Sequence, residues 1–194
     1  MCEEPIKNVK FKLLGGEFAD EPIYRGGGQI IPTSRRVTYS SFLLANPRIM
    51  EPVLLAEVQC PQDCIEVIYS ILLKRRAHVI SEEPKAGTPF HNLRIEVPAL
   101  ESFGFETDIR TATVGQAFVL SMFDHWQIAP GDPLDNSIQL LPLEPVAVPH
   151  LARELMIKTR RRKGLMEDVS VVKFFDSKEM IQMAKQDMSL KSYF

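Results

Sequence analysis

Residues 51–60, EPVLLAEVQC, run almost without interruption through the apolar side chains of Val53, Leu54, Leu55, Ala56 and Val58. So continuous a run predicts a strand covered on both faces, at the centre of a sheet. It hands over to a helix. Pro61 has no N–H to lose at a first helical position, and Asp63 follows where the helix dipole favours a carboxylate. From Pro61 to Arg76 the apolar positions Cys64, Ile65, Ile68, Ile71 and Leu72 mark one face of a 3.6-residue repeat. Lys74, Arg75 and Arg76 close it at the negative end of the dipole.

Further along, Ala77 to Ser81 reads as a second strand, Gly87-Thr88-Pro89 as a break, and Phe90 to Val97 as a third strand alternating Leu93, Ile95 and Val97 with His91, Arg94 and Glu96. Pro98 opens a second helical stretch, ALESFGFETDIRTAT, in which Phe105 and Ile109 lie four apart. Gly115 then precedes a last strand through Phe118, Leu120 and Met122 to Trp126. The order β-α-β-β-α-β predicts an α+β, ferredoxin-like domain over residues 47–130. In such a domain an antiparallel four-stranded sheet carries both helices on one face and keeps its first strand among the two central ones.

The flanks are less complete. Ile6 to Phe18 alternates Val9, Phe11 and Leu13 with Lys10 and Lys12 and predicts a half-buried strand. After a loop ending in Gly26-Gly27-Gly28, a helix is expected from Gln29 to Asn46, with Pro32 in its first turn and an apolar face of Ile30, Val37, Phe42 and Leu44. One strand and one helix bury too little to make a core, so residues 1–46 read as the incomplete end of a domain and the chain as a C-terminal fragment. A turn (PGDPLDNS, residues 130–137) leads into residues 131–194, which continue as an extended Pro-rich linker (LLPLEPVAVP). A helix from His150 to Lys163 follows, with Leu151 and Leu155 four apart, a Glu154 to Lys158 pair, and Gly164 then Leu165 as its stop. Val171 to Phe175 is an anchoring apolar run, and Asp176 with Glu179 suggests a capping box for a final helix through Met180, Ile181 and Ala184.

Composition narrows the function classes. The 194 residues are 45% hydrophobic and 25% charged, ordinary for a globular protein. The net charge of −2 hides a split, with 13 basic and 19 acidic side chains in residues 1–149 against 10 and 6 in residues 150–194. Cys2, Cys60 and Cys64 make neither a disulfide framework nor a zinc set, so the latter two are expected as core thiols in a reducing compartment, cytosol or nucleus. No apolar run is long enough for a membrane span, and Met1-Cys2-Glu3-Glu4 matches neither a signal nor a transit peptide.

His78, His91, His125 and His150 are scattered without metal-ligand spacing, and no nucleophile stands beside a base, so no catalytic, cofactor or metal residue is assigned. Gly26 to Gly28 before a helix invites a phosphate-loop reading, but the Lys and Ser/Thr of such a loop are missing. What remains is an interaction module with two basic clusters. Arg25, Arg35 and Arg36 offer charge at a loop tip, and Lys158, Arg160, Arg161, Arg162 and Lys163 form a run at a helix end. Arginine suits bidentate pairing with phosphate or carboxylate. The competing reading of that run is a helix end that complements its dipole.

RGGGQIIPTSRR, PRIMEPVLLAEVQCP, SFGFETDIRTATVGQAF and FDHWQIAPGDP together resemble the end of domain IV and all of domain V in the translocation GTPases of the elongation factor 2 and G family. The resemblance covers residues 5 to about 136 and implies the same βαββαβ unit, preceded by a partial strand and helix of an S5-domain-2-like fold. The tail LLPLEPVAVPHLARELMIKTRRRKGLMEDVSVVKFFD resembles the spliceosomal branch of the family, the elongation-factor-2-like GTPases of the U5 small nuclear ribonucleoprotein. Tyr24 stands where elongation factor 2 carries the histidine that becomes diphthamide.

The resemblance implies an interaction and lever region acting in pre-mRNA splicing in the nucleus. Its implied partners are the large spliceosomal scaffold protein, U5 components and small nuclear RNA, with no membrane. GTP and magnesium are implied to bind an N-terminal domain of the parent family, so no GTPase activity is expected of these residues. Two alternatives stay open: the C-terminal region of elongation factor 2 acting on cytoplasmic ribosomes, and a truncated product without activity.

Overall fold

The computed structural model describes residues 1–137, 140–141, 144–175 and 182, and their contacts divide the chain into two units, residues 50–129 and residues 1–49 with 130 onward. The first unit carries the sheet. Strand β1 is Met50–Pro61, β2 is His78–Pro84, β3 is Phe90–Pro98 and β4 is Phe118–Ile128, arranged antiparallel in the order β2-β3-β1-β4. The expected βαββαβ fold is therefore the observed one, with β1 central.

Helix α2 (Ile65–Leu73) follows β1 through one 3-10 turn, and α3 (Phe105–Ala112) precedes β4. Both cover the same face. Ala56, Val58 and Cys60 of β1 and Leu93, Ile95 and Val97 of β3 meet Cys64, Ile68, Leu72, Phe105 and Ile109 in one buried cluster. The helix expected to reach Arg76 stops sooner, because the N–H groups of Lys74 and Arg75 turn back to Ile71 and Leu72 and Arg76 takes a positive φ of 50°.

At its start β1 outruns β3, whose last residue Pro98 pairs with Val53. Glu51 lies beyond that point and is 1% exposed. A buried carboxylate is tolerable only when paired. Arg76 supplies the pair, donating from both terminal nitrogens at 3.0 Å each, with Glu101 3.6 Å from its Nε. The Glu51 hydrogen bond is also the main cause that raises the Arg76 guanidinium above its usual pKa.

In the second unit α1 is Gly27–Leu44 and α4 is Leu151–Arg162. α1 starts two residues before the expected position, so Gly27 and Gly28 belong to its first turn, and Pro32 falls in the second turn, where it removes one helix hydrogen bond. Its buried residue is Leu43, whereas Val37 of the expected apolar face is exposed. Tyr39 instead makes an edge contact, 5.7 Å between ring centroids, with Phe174 of the 3-10 turn Val171–Phe174, whose Val171 is buried. The anchoring role expected of that apolar run is thus observed.

The strand expected over Ile6 to Phe18 does not form. Those residues have no regular structure and are exposed, because a lone strand has no ladder to hydrogen-bond and the four strands among the described residues all belong to the other unit. The capping box at Asp176 and Glu179, with the helix it would open, lies outside the described residues.

α4 buries Ala152, Met156 and Ile157, one position on from the expected Leu151 and Leu155. Ala152 donates its N–H to the Pro130 carbonyl at 3.0 Å. The approach there is so close that a Cβ on Gly131, at φ +100°, would sit 2.0 Å from the Pro149 carbonyl oxygen, so only glycine fits.

Candidate interaction sites

The basic run lies where the sequence placed it, at the C-terminal end of α4, and the end itself is fully built. Gly164, at φ +69°, lets its N–H reach the Arg161 carbonyl at 3.1 Å and the Leu165 N–H reach the Arg160 carbonyl at 2.9 Å. This double closure satisfies carbonyls that a bare helix end would leave open. The side chains are then taken up locally. Lys158 pairs with Glu154 at 2.6 Å, and Arg161 grips Glu167 with two donors at 2.5 and 3.0 Å. That pairing raises the Arg161 pKa and lowers that of Glu167, the side-chain hydrogen bond being the first cause of each shift.

Arg160 donates to the Met166 and Met1 carbonyls, Arg162 to the Lys158 carbonyl at 3.3 Å, and Lys163 to the Cys2 and Glu3 carbonyls at 2.8 and 3.2 Å and to the Glu4 carboxylate. All five candidates therefore hold intrachain acceptors, and two of them fasten residues 1–4 to α4. At the other cluster Arg25 donates to the Asp20 carbonyl at 2.6 Å. Arg35 and Arg36 follow one another on α1 with exposed side chains.

Two arrangements were not read from the sequence. On the helix side of the sheet, Ile71, Arg75, Leu100, Phe103, Asp108 and Thr111 line an open groove of about 610 Å³. Arg75 crosses it, donating to the Glu101 and Phe103 carbonyls at 2.6 and 2.8 Å, pairing with Asp108, and resting over the Phe105 ring. An arginine so fully engaged is a structural clamp rather than a free cation.

The second is β4. It is an outer strand, yet Phe118, Leu120, Met122, Phe123, Trp126 and Ile128 are 42 to 61% exposed. The signal for this was available in principle, since the βαββαβ order sends the last strand to an edge while its residues read as core. Along β4 the register shifts between Val53 and Leu54, so Asp124 is an extra residue. Its carboxylate, the adjoining His125 ring and Glu96 of β3 have ligand atoms within 4.8 Å of one another, with His125 Nδ1 2.5 Å from Asp124. All three are at least partly exposed, and His125 is held by Asp124 without any catalytic partner among the described residues.

The buried thiols behave as expected. The Cys60 pKa is pushed up to about 11, first by burial and then by the neighbouring Cys64 and Glu82, and the Cys64 thiol donates to the Gln116 side-chain Oε1 at 3.5 Å.

Residues 48–137, which hold this four-stranded sheet and its two helices, match the family described as elongation factor G C-terminus. Over these residues the chain carries the C-terminal domain of the elongation factor G family. It is 59% identical over 186 residues to the 110 kDa U5 small nuclear ribonucleoprotein component CLO of Arabidopsis thaliana. It is 58% identical to the 109 kDa U5 small nuclear ribonucleoprotein component GFL of the same plant, and 54% identical to the pre-mRNA-splicing factor cwf10 of Schizosaccharomyces pombe. Each alignment covers 96% of this chain, and the chain spans 19% of the length of these relatives.

Proposed function

We propose that this chain is the C-terminal contact and lever region of a U5-type elongation-factor-2-like GTPase, acting in pre-mRNA splicing in the nucleus. The observation that carries the reading is identity of 54 to 59% maintained over 186 residues with three proteins named for U5 or for splicing. That alignment runs through the tail, where the ribosomal factors share only the TRRRKGL-like part, and through Tyr24 in place of the modified histidine. Both features weigh against the translation alternative.

In this reading the sheet unit is a rigid contact body with an excess of acidic side chains, and the flanking unit carries the basic clusters. α1 presents Arg35 and Arg36 to a scaffold protein or small nuclear RNA. The α4 cations hold intrachain acceptors, so each must exchange one to take part in such a contact. Nucleotide binding and hydrolysis fall to a domain outside these residues, since residues 48–137 are the elongation factor G C-terminus alone and no GxxxxGK[ST] occurs in the sequence.

Affinity purification of the tagged chain from nuclear extract tests the reading. Enrichment of U5 small nuclear RNA is the expected result, and enrichment of ribosomal RNA instead would transfer the chain to translation.

A further inference from the structure

Three side chains of metal-ligating type meet on the sheet face away from the helices, and they come from strands that are not neighbours. Glu96 of β3 stands opposite Leu55 of β1, which alternates with Ala56 of the helix-facing cluster, so Glu96 projects from the other face. His125 of β4 stands opposite Val53, two residues before Leu55, and emerges on that same face. In a regular strand Asp124 would then point the opposite way. The bulge makes it the extra residue and turns it to the side of His125. The two carboxylates and the imidazole thereby each offer an atom within 4.8 Å of the other two, across the width of β1.

No lysine or arginine of the sheet unit serves these carboxylates. Residues 50–129 hold 6 basic and 11 acidic side chains. Arg75, Arg76, Arg94 and Arg110 are taken by Asp108, Glu51, Glu57 and Glu106. Lys74 caps α2 on the opposite face, and Lys85 lies in the β2 to β3 turn, at the far end of that hairpin from Glu96, whose partner on β2 is His78. Carboxylates held this close repel one another unless a positive charge joins them. Glu96 is half-buried, while the Asp124 and His125 side chains are 43 and 45% exposed, so the cluster has an open side through which an ion can enter.

We propose that Glu96, Asp124 and His125 form a binding site for a divalent first-row transition metal ion. One imidazole nitrogen with two carboxylate oxygens is a donor set for Zn²⁺, Co²⁺, Ni²⁺ or Fe²⁺, whereas Ca²⁺ and Mg²⁺ take oxygen donors and Mg²⁺ keeps most of its water. The three donors converge from one side, and water fills the remaining positions on the exposed side. Binding exchanges the 2.5 Å hydrogen bond between Asp124 and His125 Nδ1 for bonds to the ion, and it brings the Glu96 carboxylate the positive charge that the unit's own cations do not supply. Spacing along the sequence conceals the set, because adjoining residues of a regular strand face opposite ways and the third ligand belongs to a different strand. The competing source of charge is a proton on His125, which requires no metal.

Titration of the full chain with Co²⁺ tests this, because the ion quenches indole emission at short range and the single tryptophan, Trp126, adjoins His125. The expected result is a saturable loss of Trp126 emission at one ion per chain, reversed by Zn²⁺ and unaltered by Mg²⁺ or Ca²⁺ at the same concentration. His125→Gln, Asp124→Asn and Glu96→Gln should each weaken binding at least about tenfold, since even a group that only orients a metal ligand is worth that much. His78→Gln removes the imidazole on the other side of Glu96 and should leave binding unchanged. Circular dichroism checks that each variant keeps the sheet. A second readout is independent of the tryptophan: Zn²⁺ should raise the melting temperature of the wild-type chain and not that of His125→Gln. Quenching that never saturates, equal affinity in His125→Gln, loss of binding in His78→Gln, or competition by Mg²⁺ at equal concentration would each overturn the proposal. So would a thiolate-to-cobalt charge-transfer band, which would put the ion on a cysteine instead.

Discussion

The two edges of this sheet are built to opposite rules. β2 ends in Glu82, Glu83 and Pro84, and its pairing with β3 shifts register between Val79 and Ser81, leaving Ile80 as an extra residue. Charge, proline and a bulge are the devices by which an edge strand discourages further pairing. Glu82 is also anchored, accepting from the Tyr69 hydroxyl at 2.9 Å and standing 3.5 Å from His91 Nδ1. β4 has eleven residues, six exposed large apolar side chains, and its only carboxylate at Asp124. The same core supports both strands, so the difference does not serve the fold's stability. At the opposite edge from the guarded β2, β4 keeps none of these devices except the bulge at Asp124.

The comparison assumes one shared core, and the severest way to break it is Ile95→Ala, in the strand between β2 and β1. Loss of about 3 kcal/mol is expected at so tightly packed a site, and denaturant unfolding should show both edges melting in the same transition. Separate transitions would mean that the edges belong to independent parts. Replacing Arg76 by Ala strands the buried Glu51 carboxylate and should cost on the order of 3 kcal/mol, mostly at the β1 end nearest β4; stability that is unaffected would show the carboxylate to be hydrated.

A milder test removes the guard. Glu82→Val with Glu83→Val should make β2 resemble β4, raising turbidity on heating well above wild type with little change in the melting midpoint. If solubility holds, charge is not what protects that edge.

Cys60 sharpens the same point electrostatically. Its pKa is raised from an ordinary 9.0 to about 11, so the folded state keeps its proton where the unfolded chain loses it. Stability should therefore be level below pH 9 and fall as the pH rises from 9 toward 11, and Cys60→Ala should flatten that fall. An alkylation rate for Cys60 at pH 8 equal to that of the half-exposed Cys2 would contradict the burial argument. The smallest effect expected is none: GTP with magnesium should shift neither the melting temperature nor the Trp126 emission, because a ligand stabilises only a state that it binds.

Much of this could be read from residues in order. Leu93, Ile95 and Val97 repeat at the strand period, and Ile68 and Leu72 at the helix period, so the buried faces and the βαββαβ order were legible before any coordinates. The end of α4 was equally legible, because Gly164 and the Glu154 to Lys158 spacing act within one turn. Ile6 to Phe18 has as good a strand pattern as β3 and forms no strand, since period alone does not provide a neighbour to complete the ladder.

Local patterning by itself determined which faces are apolar, where helices start and stop, and which family the chain resembles, because all of these follow from residues within a few positions of one another. Only the tertiary structure decided what those faces meet. It paired Arg76 with Glu51, used the α4 cations on carbonyls of residues 1–4, and left β4 uncovered at an edge. Each of these depends on groups distant in sequence arriving at hydrogen-bonding distance, and neither periodicity nor charge count along a chain encodes that distance.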